Sequence, residues 1–342
     1  MPEHKIINPQ NNKCGPDMPI VERDAWRLQY FKDVECPAEV NIPTDDPDCW
    51  QWYPETRWIY DRLRIAQSQG LKCAPHGVMP DEFPVFSKPI INLKGMGVGS
   101  RLIKSDAEMK RHSQPGHMWM ANLEGEHIST DCAVSGGRIL WLRHARGIPS
   151  DAGTFDYWII CARQDEALVA YLGDWIASNI PDYFGMMNFE TIGGRIIEAH
   201  LRFADQWCDL YGKHWLAALV QLYQNGSWDT GVEAPADGYS LPLFAHHGQR
   251  LRHPPLALQN QIRSMPGIAS LQITFDETID HAQHAMPPGG FRLAVMNAWD
   301  FAAGSKARNL LANHYREQVS LLEFSGAEHR HGGDNLPVRR RA

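Results

Sequence analysis

Glu198, His200 and Arg202 alternate with Ile197, Ala199 and Leu201 in the run Ile196-Ile197-Glu198-Ala199-His200-Leu201-Arg202. Successive side chains of a strand face opposite ways, so a carboxylate, an imidazole and a guanidinium share one face here. Such groups are costly to bury without partners. Two settings suit them: the exposed polar face of an antiparallel sheet, or a cleft that holds a metal ion and phosphates. Lys88 poses the same question in Pro84-Val85-Phe86-Ser87-Lys88-Pro89-Ile90-Ile91. Among apolar neighbours it needs either an anion or a route to solvent from an edge strand, which the adjacent Pro89 favours. Just downstream lies Gly95-Met96-Gly97-Val98-Gly99-Ser100, whose spaced glycines let a backbone approach a phosphate and aim N–H groups at it.

These residues need a scaffold, and the patterning supplies one. Met186–Phe189 and Ile196–Leu201 flank Gly193-Gly194 and read as a β-hairpin. Glu55–Gly70 reads as a helix stopped by glycine, and Phe83–Leu93 as the strand that carries Lys88. Arg101–Ile103 is a short strand and Ser105–Arg111 a helix, with Ser105 and Glu108 spaced as a capping box. Two or three antiparallel strands follow, turning at Glu124-Gly125 and Gly136-Gly137. Thr154–Ala162 is a strand. Gln164–Ile180 is an amphipathic helix, with Leu168, Leu172, Trp175, Ile176 and Ile180 at helical spacing. Beyond the hairpin, Leu210–Tyr223 and Asp300–Glu317 read as helices, Ile268–Phe275 and Gly290–Asn297 as strands, and 225–255 as loop and strand. Near the start, Val21–Asp33 reads as a short helix.

The chain has 342 residues, 43% hydrophobic and 21% charged, with a net charge of −7. That length allows one large or two medium domains. The acidic balance argues against a general nucleic-acid binder, though not against a local basic cleft. No apolar run reaches the roughly 18–20 residues of a membrane span, and MPEHKIINPQ has no apolar signal core. Seven cysteines without a Cys-x-x-Cys pair fit reduced thiols. The expectation is a cytoplasmic protein with no membrane or nucleic-acid partner. His246, His247 and His253 are close in sequence but have no acidic cluster beside them, so surface or structural roles compete with a metal site.

In order along the chain, these elements resemble the ATP-grasp superfamily. They are a leading helix, a lysine strand, a glycine loop, further strands, a connecting helix, and a hairpin in which Glu198-Ala199-His200-Leu201-Arg202 stands where the family has Glu-x-Asn-x-Arg. The resemblance implies an α+β fold of two subdomains that grip ATP between antiparallel sheets. It implies an N-terminal segment at 1–55, an ATP-grasp domain at 56–215 with its lid at about 84–145 and a C-terminal α+β extension at 216–324, while the polar composition of 325–342, ending in Arg339-Arg340-Arg341, reads as a disordered tail. It also implies ligation of a small-molecule carboxylate to an amine or other nucleophile through an acyl phosphate, with ATP and Mg²⁺ or Mn²⁺.

By the same resemblance Arg62, Lys88, Gly95, Gly97, Gly99 and Ser100 face the nucleotide phosphates, and Glu126 or His127 the ribose. Glu198, His200 and either Asn188 or Glu190 bind metal, while Arg202 meets the phosphates or the acyl phosphate. Four departures stand out. Arg62 replaces the family lysine after Asp61, and the strand at 154–162 lacks the usual lysine. The ribose position is altered, and His200 replaces a metal-side asparagine. Two alternatives therefore remain: a degenerate ATP-grasp nucleotide-binding protein, and a histidine-metal hydrolase.

Overall fold

The computed structural model describes residues 20–21, 26–31, 34–93, 97–150, 154–229, 236–246, 250–280, 284 and 291–324. Gly95, His247 and the tail expected at 325–342 lie outside them.

Strands β1 (Ile20–Val21) and β2 (Ile42–Pro43) pair in parallel. Helix α1 (Asp46–Trp52) begins at Asp45, whose side chain accepts from the Asp48 amide, with a proline in the first turn. The helix read over Glu55–Gly70 is divided. A 3-10 turn at Arg57–Tyr60 precedes α2 (Arg62–Ser68). Asp61 is the reason: its side chain accepts from the Arg64 amide, so Asp61 caps a new helix in an extended conformation. Over Val21–Asp33 the described residues hold the end of β1 at Val21 and a 3-10 turn at Leu28–Tyr30, in place of the expected helix.

A small sheet follows, built from β3 (Cys73–Pro75), β4 (Val85–Pro89), β5 (Arg101–Ile103) and β6 (His117–Ala121) in the order β3-β6-β4-β5. The Lys88 strand is shorter than Phe83–Leu93 and ends at Pro89, which has no N–H for the ladder. Helix α3 (Asp106–His112) covers one face of this sheet. Ser105 accepts from the Glu108 amide, and the Glu108 carboxylate accepts from the Lys104 amide.

The large sheet has the order β11-β10-β7-β8-β9-β12-β14-β13, antiparallel throughout. Its members are β7 (His127–Ser135), β8 (Arg138–Pro149), β9 (Phe155–Ile160), β10 (Phe184–Ile192), β11 (Arg195–His200), β12 (Gly238–Ala245), β13 (Ile268–Ile273) and β14 (Phe291–Ala298). Strands β6 and β7 therefore belong to different sheets, joined by residues 122–126. The C-terminal strands β12, β14 and β13 continue the sheet that β7–β11 begin.

Helix α4 (Glu166–Asn179), capped by Asp165, buries Leu168, Leu172, Trp175 and Ile176 against Cys132, Val134, Met187 and Phe189. Helix α5 (Trp215–Asn225) packs in a second cluster with Ala133, Ala145, Trp158 and Phe203. It starts later than Leu210, after a 3-10 turn at Cys208–Leu210 and a positive-φ Gly212. Helix α6 (Leu256–Arg263) lies between the segment 225–255 and the strand at Ile268, in residues to which the sequence reading assigns no element. Together with α7 (Phe301–Tyr315) it closes the third cluster, over β12–β14.

Candidate functional site

The site is built on the β10–β11 hairpin. Gly193 and Gly194 have φ of +55° and +75°, the two left-handed residues of a tight hairpin turn. The pairing is Asn188 with His200 and Glu190 with Glu198, then Thr191 with Ile196. Ile197 is thus the extra residue of a β-bulge. The register answers a question the sequence left open: Asn188 and Glu190 both lie on the face of Glu198 and His200. On the other side of β10, Asn188 pairs with Asp131, and Asp131 pairs with Arg143 on β8. A polar row His200–Asn188–Asp131–Arg143 therefore crosses four strands.

Strand β11 is the edge of the large sheet, and its outward backbone groups are met by side chains. Gln69 bonds both the amide and the carbonyl of Ile196, each at 2.8 Å. The Leu201 amide donates to the Tyr60 hydroxyl at 3.2 Å, and Cys49 Sγ donates to the Leu201 carbonyl at 3.2 Å. Lys88 Nζ, arriving from the small sheet, donates to the carbonyl of the bulged Ile197 at 2.7 Å. An edge covered in this way is closed to pairing with another chain, and Lys88 is brought to the junction of the two sheets.

Around that junction the charges are close. Arg62 pairs with Glu198 and donates to the Pro89 carbonyl at 3.4 Å. His200 Nε2 lies 3.5 Å from Glu198 Oε1, and its Nδ1 lies 3.0 Å from both carboxylate oxygens of Asp46. Arg202 holds Asp46 through Nε at 3.0 Å and Nη2 at 3.1 Å. Burial pushes the Lys88 ammonium down to about 7, helped by the Arg62 charge and opposed by Glu198. Burial would raise both carboxyls as well. At Glu198 the Arg62, His200 and Lys88 charges and the Arg62 bond together outweigh it, and at Asp46 the charges and bonds of Arg202 and His200 together do; both stay below their ordinary values. Asp131 differs: burial lifts it to about 6 despite bonds from Tyr211, Ala204 and Asn188. Arg62, Lys88 and Arg202 thus meet Asp46 and Glu198 at one junction.

The remaining candidates sit around this centre. Asn188 donates to Ser129 Oγ at 2.8 Å and Asp131 Oδ1 at 2.7 Å. Glu190 pairs with His127, whose ring stands edge-on to Phe155 and Trp158. Glu126 accepts from Arg146 at 3.1 Å. Gly97 and Gly99 have positive φ, and the Ser100 amide bonds the Gly97 carbonyl at 3.0 Å. This loop leans on the small sheet: a Cβ on Gly99 would come within 3.2 Å of both His117 and Pro89. Phe86, Met118, Met120, Ile90, Leu123 and Ile197 form an apolar patch beside Lys88, where the sheets meet.

Among the described residues, no group of three or more His, Cys, Asp or Glu side chains could hold a metal ion by itself. His253 bonds the Phe275 carbonyl at 2.8 Å. No helix among the described residues is long and apolar enough to cross a membrane.

Two groups at this centre were not anticipated. Asp46 comes from the N-terminal segment, and Asp131 from a strand read only for its turns. Each left a trace in the sequence. Asp45-Asp46-Pro47 is a helix-start pattern. Asp131 is a lone carboxylate in the strand Ile128-Ser129-Thr130-Asp131-Cys132-Ala133-Val134.

No protein-family model matches the sequence, and no curated protein is similar to it. Solved structures do share its architecture. An N5-carboxyaminoimidazole ribonucleotide synthetase in complex with ADP superposes with a TM-score of 0.55 at 13% identity, covering 85% of this chain and 84% of its own. The carboxyaminoimidazole ribonucleotide synthase of Aspergillus clavatus, complexed with ATP, gives 0.53 at 11% identity, covering 77% and 75%. An L-amino acid ligase from Bacillus licheniformis gives 0.50 at 9% identity, covering 78% and 71%. The chain has the ATP-grasp fold, an α+β fold with a small and a large antiparallel sheet.

Proposed function

We propose that this protein is an ATP-dependent ligase that joins a small-molecule carboxylate to an amine or other nucleophile through an acyl phosphate. One observation carries the reading. Lys88 from the small sheet bonds the Ile197 carbonyl at the junction with the large sheet, beside the Arg62–Glu198 pair that His200 joins, in a fold whose solved members include an L-amino acid ligase and synthetases with ATP or ADP bound. A carboxylate oxygen attacks the γ-phosphorus only where the triphosphate is held and its charge offset. Lys88, Arg62 and Arg202 supply cations for that, with Gly97, Gly99 and Ser100 as the flanking loop. The attack forms the acyl phosphate and releases ADP. The nucleophile then adds to the acyl carbon, loses its proton, and expels phosphate.

The fold family implies a divalent cation, and the donor chemistry fits one. Glu190 and Glu198 lie opposite each other on one face, where an ion could take the place of their present partners, His127 and Arg62. Mg²⁺ needs only one or two protein carboxylates when phosphates and water complete its shell. Glu198 and Glu190 would hold it, with the His200 ring beside them as a nitrogen that suits Mn²⁺. When bound, such an ion offsets phosphate charge.

A second reading, nucleotide binding without turnover, is favoured by one feature: the cations already have internal partners. Arg62 is paired with Glu198, Arg202 with Asp46, and Lys88 with a carbonyl. ADP release across a panel of carboxylic and amino acids, with Mg²⁺ or Mn²⁺, separates the two. The ligase reading expects release above the basal rate only when a carboxylate and a nucleophile are both present. ATP that binds but is never consumed would establish the second reading in its place.

A further inference from the structure

Asp46 belongs to none of the elements that the ATP-grasp resemblance covers, yet it lies at the centre of the charged cluster. It occupies the first position of α1, is 4% exposed, and receives bonds from three residues, Tyr60, His200 and Arg202. The Tyr60 hydroxyl donates to Oδ1 at 3.2 Å and itself accepts from the Leu201 amide. His200 Nδ1 lies 3.0 Å from both oxygens, so the ring's proton is directed at Asp46 rather than at Arg202, 3.4 Å away.

The arrangement at Arg202 is the informative part. A guanidinium has five N–H groups in a rigid plane. Asp46 takes the side edge, through Nε and Nη2. The Phe203 carbonyl takes one N–H of Nη1, at 3.2 Å. That leaves one N–H on Nη1 and one on Nη2, the latter nitrogen 3.4 Å from His200 Nδ1, as the donors this guanidinium can offer to the oxygens of a phosphate or carboxylate. Arg202 is 19% exposed, whereas its partner Asp46 is buried.

We propose that Asp46 is a positioning residue of the phosphate site: by occupying the side edge of Arg202 it turns the end edge of that guanidinium toward an oxyanion in the cleft. This rests on the nucleotide reading of the cleft given above. It assigns the N-terminal segment a role in the site. Asparagine at this position keeps the shape, but its amide N–H groups face the donors of Arg202 and His200, so the side edge is released and the fork is free to rotate away.

A double-mutant cycle read by calorimetric titration with Mg-ATP tests this. Arg202→Lys keeps the charge, loses the fork, and should weaken binding about tenfold. Asp46→Asn should weaken it by a similar factor. The double variant should lose no more than either single change, because residues acting as one unit are not additive. A carboxylate that merely pins α1 would lower the melting temperature, and its loss would multiply with that of Arg202→Lys. If Asp46→Asn does not fold, Tyr60→Phe removes one bond to the carboxylate and keeps its charge. It should weaken binding by about two- to threefold, again without added effect on the Arg202→Lys background. Unchanged affinity in the folded Asp46 or Tyr60 variant, or losses that multiply, would overturn the assignment alone. A native protein that does not bind Mg-ATP would overturn the nucleotide reading, and this role with it.

Discussion

Replacing Lys88 with alanine is expected to weaken Mg-ATP binding by about ten- to hundredfold in a protein that stays folded. A charge-assisted bond to phosphate contributes about 1.5–3 kcal/mol, and 1.4 kcal/mol is a factor of ten. The fold should tolerate the change. The ammonium is buried, 5% exposed, and it bonds the Ile197 carbonyl, so losing that bond is offset by ending the desolvation of a charge. The pH dependence has a definite sign. Burial holds Lys88 near 7 against an ordinary 10.5. Between those values the unfolded chain binds more protons than the folded one, so stability rises with pH across that window. Phosphate needs the ammonium form, so ATP affinity should fall as pH rises above about 7, by at most tenfold per unit. Lys88→Arg should abolish that slope, because arginine stays charged. Calorimetry from pH 7 to 9 on the three proteins reads all of this; equal affinity in the native and alanine proteins would remove Lys88 from the site.

The second large effect concerns the hairpin turn. Gly193 presses against the 122–126 connection between the sheets. Its amide donates to the Glu126 carbonyl at 3.1 Å, and a Cβ there would overlap the Glu124 carbonyl oxygen. The approach is mutual, since a Cβ on Gly125 would lie 2.7 Å from Gly193 Cα. Gly193→Ala therefore combines left-handed strain of about 1–2 kcal/mol with overpacking of about 1–3 kcal/mol. Gly194→Ala is the control: its φ is +75° but a Cβ meets nothing within 4 Å, so only the strain term applies. Denaturant unfolding should place Gly193→Ala well below Gly194→Ala in stability. Equal losses would show that the turn does not brace the connection.

The hairpin, Lys88 strand, capped helix after Ser105 and amphipathic α4 were legible because each is fixed by local chemistry: a Gly-Gly pair, a lysine among apolar residues, a capping box, a helical stripe. What was not legible depends on long-range geometry. Strands 117–121 and 127–135 look alike in sequence yet join different sheets. Asn188 and Glu190 could be placed only once the Ile197 bulge fixed the register. The partner of Arg202 lies 156 positions upstream, and no periodicity links Asp46 to a strand that distant. Helix α6 is not marked by its sequence because Leu256-Ala257-Leu258-Gln259-Asn260-Gln261-Ile262-Arg263 is too short for periodicity to separate helix from loop or strand.

The central claim is that one nucleotide touches both sheets at the junction around Lys88. Hydrogen exchange with and without Mg-ATP tests it without knowing the other substrates. Peptides over Gly97–Ser100 and Arg195–Arg202 should both slow their exchange when nucleotide is added, since one ligand closes the loop onto the hairpin. Unchanged exchange in both peptides at saturating Mg-ATP would contradict the claim.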